Sequence, residues 1–451
     1  MPNPVDDAPL GHGEIALPVD SEPSNAQSNF SALNCLKKYR RRIFYGVVAV
    51  CCILALVAFT VGRRFRHPTD DLPHDAPLTD IADDARLEPY QTPENAAYCA
   101  DWAPGPDDSV SASFELPAKA DLLFFLSRGP VFGHISIIKT PEWSNGPVEV
   151  NITAQYHTRE DLAQTKVCRM GASQEHGVLL WAEPRHPHDD PRQDVRINIT
   201  VALPTAASLR DYKDLTTDLP LFSHSCDDFF DFWSPTSFEV IRLKTSNAPI
   251  HYGGLVGRAG FIQTSNADVR GFFGGYEVMV QTSNAPIEAI AFMFGESPGS
   301  ESRVQFKTSN GVINASLVLI SDFDDNILRA TLRTSNAALV VQTPRQGIMS
   351  PNSSFFLDAS TSVGPATLYL YPEYEGPYEL RTTVARARVE ETTEDIGDPA
   401  GKGRHRTVTK TGTSHHVQGN VYWSHDGKPT PGFERGSVKI ITSVSPVELY
   451  V

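Results

Sequence analysis

Carboxylates, imidazoles and thiols are the side chains from which a catalytic or metal centre is built, and in this sequence they cluster in few places. Paired carboxylates on one face of a β-helical scaffold would suit cleavage of a glycosidic bond. Asp268 and Glu288 lie in successive copies of a repeat, but at different distances from its corner, which argues against a shared face. Asp322, Asp324, Asp325 and Asn326 form an oxygen-rich loop of the kind that suits Ca²⁺, yet they lack the glycine and terminal glutamate of an EF-hand. A hydrated acidic loop is the simpler reading. His186, His188, Asp189 and Asp190 have the ligand types a transition metal takes, but prolines flank them. Asp227, Asp228 and Asp231 alternate with Phe229, Phe230 and Phe232, a pattern expected at an edge beside the core. No nucleophile elbow, zincin, P-loop or dinucleotide fingerprint falls in a supporting context, so no catalytic, cofactor or metal residue is assigned. The expectation is a protein that is not an enzyme, with a carbohydrate-active enzyme as the alternative.

Two covalent features point to an oxidising, glycosylating compartment. Sequons begin at Asn151, Asn198, Asn314 and Asn352. A fifth, Asn29-Phe-Ser31, lies on the other side of the apolar segment described below. Cys99, Cys168 and Cys226 allow one disulfide with three pairings open, of which Cys168 with Cys226 is taken as the candidate.

The elements that must position these residues are read from a repeat. Thr-Ser-Asn begins at Thr245, Thr264, Thr282, Thr308 and Thr334, at separations of 19, 18, 26 and 26 residues. Two residues before each Thr stand Leu243, Ile262, Val280, Phe306 and Leu332, with Lys244, Gln263, Gln281, Lys307 and Arg333 between, which is the period of a strand. Five residues after each Thr stand Ile250, Val269, Ile287, Ile313 and Leu339. Each copy therefore reads as strand, corner, strand, with Asn chosen for its tolerance of a positive φ. Coils so alike stack into a β-solenoid, in which Asn247, Asn266, Asn284, Asn310 and Asn336 would form an amide ladder along one edge. Weaker copies stand at Ser144-Asn-Gly-Pro147, Thr361-Ser-Val-Gly-Pro365 and Thr442-Ser-Val-Ser-Pro446, giving seven or eight rungs. A β-sandwich with a shared turn motif is the rival architecture.

Ile43 to Gly62 is about 20 residues without a charge, enough to cross a bilayer as one helix. Five basic residues from Lys37 to Arg42 precede it and Arg63, Arg64 and Arg66 follow, which favours a cytosolic N-terminus. The chain divides into a disordered tail (1–42), the transmembrane helix (43–62), an acidic Pro-rich stalk (63–95), an irregular β-rich part (96–235) and the repeat solenoid (236–451). Within the last, 390–418, which holds His415 and His416, is expected to be a disordered insertion; a helix is expected near Arg159 to Lys166. A formal net charge of -15 disfavours nucleic acid as a partner.

Phe114-Glu-Leu-Pro117, Leu122 to Pro130, the Thr-Ser-Asn-Ala-Pro-Ile copies and Gly436 to Leu449 together resemble a family of fungal, basidiomycete-type single-pass membrane proteins, itself similar to adhesin-type repeat domains of bacteria. The resemblance implies an all-β solenoid behind one anchor and no established activity. The expected role is adhesin-like binding of a cell-wall glycan or surface protein, outside the cytosol at the plasma membrane or in the secretory pathway.

Overall fold

The computed structural model describes residues 85–451 apart from 105–108, 144–145, 184–194, 206–210, 229–236, 322, 324, 345–347, 350–352, 393–396, 399–400 and 430–434. The tail, the apolar segment 43–62 and most of the stalk lie outside the described residues, as do His186, His188, Asp189 and Asp190. The fold is all-β and its strands form two parallel stacks joined at corners.

In the first stack Ser237–Lys244 pairs with the end of Ile250–Gln263, which pairs in turn with Glu277–Gln281, Glu301–Lys307, Ile327–Arg333 and Ser354–Ser360. In the second, the start of Ile250–Gln263 leads to Val269–Gly275, Ile287–Phe294, Ile313–Ser321, Leu339–Gln342 and Ala366–Tyr369. Equivalent residues pair through the repeat, with one register shift between His251 and Leu255 where Ile250–Gln263 meets Val269–Gly275: Val280 lies between Ile262 and Phe306, and Ile287 between Val269 and Ile313. Parallel stacking of this kind makes a two-sheet solenoid; a sandwich of antiparallel sheets is excluded. One continuous core runs between the sheets, filled by the positions that alternate inward.

Three boundaries are redrawn. Residues 96–235, expected to be irregular, contribute three further coils. Glu175–Ala182 with Arg196–Thr205, Leu122–Arg128 with Phe132–Trp143, and Asp211–Asp218 with Phe222–Asp228 all stack in parallel. Their corners lack Thr-Ser-Asn, so the repeat did not reveal them. The insertion 390–418 holds an ordered hairpin, His405–Gly412 with His416–Ser424, lying antiparallel on Gly376–Arg381. Val408 and Val417 of this polar, Thr-rich segment pack against the core. The stalk ends before residue 95: Leu87 and Tyr90 are buried against Leu122, Phe124, Leu126 and Met170 on the outer face of the first sheet. Tyr90 stacks on Phe124 at 4.5 Å, and Arg86 bridges Glu175 (2.7 Å) and Asp214 (2.9 Å).

Both ends carry antiparallel strands, on both sheets at one end and on the first sheet at the other. Thr165–Ala172 lies on Glu175–Ala182, while Val148–Gln155 and Ser109–Leu116 extend the second sheet beyond Arg196–Thr205. Ser144 and Asn145 are outside the described residues, and the strand after them, Val148–Gln155, belongs to this antiparallel cap instead of a solenoid rung. A one-turn helix, Arg159–Ala163, begins with a capping box between Thr158 and Asp161. At the other end Gly436–Ile441 and Val447–Tyr450 pass between the coil 354–369 and the coil 376–390, so the last residues in sequence are not the last coil in space. Eleven coils stack among the described residues, about 50 Å at ~4.8 Å each.

The disulfide joins Cys168 to Cys99, not to Cys226, which is a buried thiol. Tyr98–Cys99 pairs with Thr165–Ala172 and sets Cys99 directly opposite Cys168, whereas Cys226 lies on an inward position of the third coil. Alkylation after denaturation without reductant should therefore label Cys226 and spare Cys99 and Cys168, read by peptide mass; label on Cys99 would contradict the pairing.

Val280 and Ile287 are fully buried, while Gln281 faces outward. Val280→Asp or Ile287→Asp should cost several kcal/mol by burying an unpaired carboxylate, and Gln281→Lys about half a kcal/mol or less. Thermal melts of the three variants check this, and equal damage from Gln281→Lys would put the strand phase out by one residue.

Candidate functional site

The corners hold the most regular polar chemistry. Each Thr of the repeat is buried, and its hydroxyl donates to a carbonyl of the preceding corner: Thr282 to Ala267 O (3.3 Å), Thr308 to Ala285 O (3.2 Å), Thr334 to Gly311 O (3.0 Å). A buried hydroxyl needs such a partner, which explains why Thr recurs. The corners also pack closely, since a Cβ added to Gly311 would lie 1.7 Å from Ala285 O. An eighth corner, Thr382-Thr-Val384, repeats the Thr382 bond to Ser445 O at 3.1 Å and is missed in sequence because it has neither Ser nor Asn.

The five asparagines stand in line on the exposed edge. Asn266 Nδ2 donates to Asn247 Oδ1 (2.6 Å), Asn284 to Asn266 (2.6 Å), Asn310 to Asn284 (2.7 Å) and Asn336 to Asn310 (2.5 Å). Their backbones are not left-handed: among the described residues only Ser173 and Asp325 combine a side chain with positive φ. The expected backbone reason for Asn is thus corrected.

On the outer face of the second sheet, Asp268 and Glu288 come together after all. Arg270 reaches Asp268 at 2.6 Å and Glu288 at 3.3 Å, and His251 reaches Asp268 at 3.0 Å. Their offsets from the corner differ by two, which in a strand preserves the face. Burial raises the Asp268 carboxyl, but hydrogen bonds from His251 and Arg270 outweigh it and hold the group below the usual range. His134 sits between Ser223 Oγ and Ser225 Oγ, each at 2.8 Å, and burial followed by Arg196 lowers its pKa.

The remaining candidates are placed as follows. Asn151 and Asn314 are exposed and Asn198 is half-buried, while Asn352 lies outside the described residues. Asn151 is opposite Thr200 and Asn198 opposite Thr153, so two sequons are interleaved on neighbouring strands. In the acidic loop, Asp322 and Asp324 are outside the described residues and Asn326 turns inward, bonded to Ser321 Oγ (2.7 Å) and Ser300 Oγ (3.2 Å). Phe229, Phe230, Asp231 and Phe232 are also outside them. His415 bonds Ala385 O at 2.5 Å and His416 faces Glu379 at 3.2 Å. Among the described residues no group of three or more His, Cys, Asp or Glu is placed to hold a metal ion.

No protein-family model and no curated protein matches the chain. Among solved structures, a "putative adhesin" from Bacteroides fragilis aligns over 76% of this chain and 97% of its own, with 9% identity and a TM-score of 0.31. A "putative cell adhesion protein" from Clostridium sporogenes covers 76% and 99%, with 7% identity and a TM-score of 0.16. Overlaps this low leave the architecture to rest on the strand registers.

His224 is buried inside the solenoid, with Nδ1–H donating to Phe222 O (3.0 Å) and Nε2 accepting from Thr217 Oγ1 (2.8 Å). Burial, only partly opposed by the Phe222 bond, lowers its pKa to about 3 from the ordinary 6.5. Below 6.5 the unfolded chain takes up this proton and the folded chain does not, so the contribution is complete above 6.5 and is lost as pH falls towards 3. Urea titrations across that range should show the slope, and His224→Leu combined with Thr217→Val should flatten it; an unchanged slope would place the titrating group elsewhere.

Proposed function

We propose that this is a membrane-anchored, adhesin-like binding protein that displays its solenoid outside the cytosol. The observation that carries the reading is the Cys99–Cys168 disulfide downstream of an uncharged stretch long enough to cross a bilayer. Disulfides persist in oxidising compartments, and the arginines on both flanks of the stretch fit a retained span better than a cleaved leader. The stacked coils support the binding role, because they offer long, regular outer rows whose residues can vary without touching the core. A glycan or another surface protein is the partner such rows suit. The one carboxylate pair singled out for the carbohydrate-cleaving alternative does not suit it: Arg270 ties Asp268 to Glu288, and bonds from His251 and Arg270 outweigh burial to hold the Asp268 carboxyl below its usual range, the reverse of what a proton donor needs.

The topology is tested by glycosylation. Glycosidase treatment of the intact protein should shift its mobility, and replacing Asn151, Asn198, Asn314 and Asn352 together should abolish the shift, whereas replacing Asn29 should change nothing. A shift that depends on Asn29 alone would invert the orientation. Binding is tested by retention of the full-length chain, in detergent micelles, on cells and isolated walls; no retention on any surface would sink the adhesin-like role.

A further inference from the structure

We infer that the asparagine ladder is the binding surface, and that its ligand is a polysaccharide carrying acetamido groups. This deepens the proposed function and rests on it. The first ground is that the fold does not require Asn at this position. Val363, Val444 and Val384 occupy the same corner place in the next three coils, and their amides make the same backbone bonds. Val363 N donates to Ser335 O (2.8 Å), Val444 N to Ser362 O (3.1 Å) and Val384 N to Ser443 O (3.1 Å), as Asn336 N does to Ser309 O (2.9 Å). Nor does any of the five asparagines have the positive φ that would select Asn for its backbone. What distinguishes them is the side-chain amide.

The second ground is what that amide has left to offer. A carboxamide carries two N–H donors and two acceptor lone pairs. Asn266, Asn284 and Asn310 each use one N–H towards the coil before and one lone pair towards the coil after. One donor and one acceptor per rung remain, and all five residues are exposed. Because neighbours fix each amide, no rotamer freedom is lost when a ligand engages it. Beside the ladder, two residues further along each corner, run Pro249, Pro286, Val312 and Ala338, an apolar column broken by Asp268. Val312 is 41% exposed.

The third ground is period. The rungs repeat at ~4.8 Å, so the five amides span about 19 Å. That repeat is a property of amides linked N–H to O=C, not of proteins. In a solid polysaccharide whose acetamido groups bond from chain to chain, the same linkage imposes the same spacing. Each acetamido group spends its one N–H on that bond, so the solid presents a carbonyl lone pair at every repeat to accept the free Asn N–H, and the acetamido methyl groups meet the apolar column. A polysaccharide of the same backbone without acetamido groups presents hydroxyls alone and lacks the amide register.

The experiment measures retention of the full-length protein, in detergent micelles, on insoluble chitin and on cellulose, which differ in the acetamido group. The test variant is Asn266→Val with Asn284→Val and Asn310→Val, residues the corner already accepts elsewhere. Retention should be stronger on chitin than on cellulose and should fall about tenfold or more in the triple variant, the loss of a few hydrogen bonds. A thermal melt checks that the triple variant folds. If it does not, Asn284→Val alone, which cuts the ladder in the middle, should still weaken retention. Equal retention on both solids, or equal retention of unaltered and substituted protein on chitin, overturns the inference. Retention on cells but not on chitin overturns it while leaving the adhesin-like reading intact; retention on neither removes both.

Discussion

Parallel strands stacked in register place every residue between its own equivalents one rung above and one below. That constraint governs the interior and the surface alike. An apolar column such as Ile262, Val280 and Phe306 supports itself, and an amide column bonds to itself. A column of like charges repels itself. The outer face shows the remedy where Arg303 and Arg329 are in register: Glu301 Oε1 accepts from Arg303 Nε at 2.8 Å and from Arg329 Nε at 3.0 Å. Arg270 performs the converse service between Asp268 and Glu288. Each pair is exposed and contributes little alone, but it offsets the repulsion that the register sets up between Arg303 and Arg329.

The same constraint decides what is legible in the sequence. Where a coil turns through Thr-Ser-Asn, in/out phase, corner and ladder can be read off, because stacking demands that equivalent positions carry equivalent chemistry. The first three coils turn through other residues, such as Gly129-Pro130 and Leu219-Pro220, and share only an apolar interior, which many β folds have. Thr382-Thr-Val384 escapes notice for a related reason: its buried Thr hydroxyl and its backbone bonds match the other corners, but the outward residues have changed. The hairpin after residue 404 has the composition of a loop because only alternate residues such as Val408, Val417 and Val421 meet the core. Cys99 and Cys168 are joined by a pairing between distant strands, and no local spacing reports it.

Chain order departs from spatial order at both ends, and edge protection explains why. A solenoid built strictly in sequence would end on an open strand at each end, a template for further pairing. Here the coil 122–143 lies inside the coil 175–205. The coil 436–450 likewise lies inside the coil 376–390. The outermost strands can then turn back antiparallel, through the hairpin 405–424 at one end and the strands 148–155 and 165–172 at the other. Val451 is buried beside the same coil: it is 1% exposed and its amide donates to Glu390 O at 2.9 Å.

Once inward positions are committed to the core and the ends to their caps, the outward columns are the part of the molecule free to differ from coil to coil. They do so most plainly on the corner edge, where Asn gives way to Val after Asn336 with no change in the backbone bonds beneath. The backbone bonds of the corner do not dictate the change, since both residues satisfy them. Nor does it follow from exposure, because Val363, Val444 and Val384 remain about half exposed, at 48%, 51% and 64%. Exposed valines gain nothing from water, and exposed amides that bond one another gain little beyond what water would give them. A division of one edge into five amide rungs and three valine rungs is therefore left open by the backbone, which accepts either side chain at the corner.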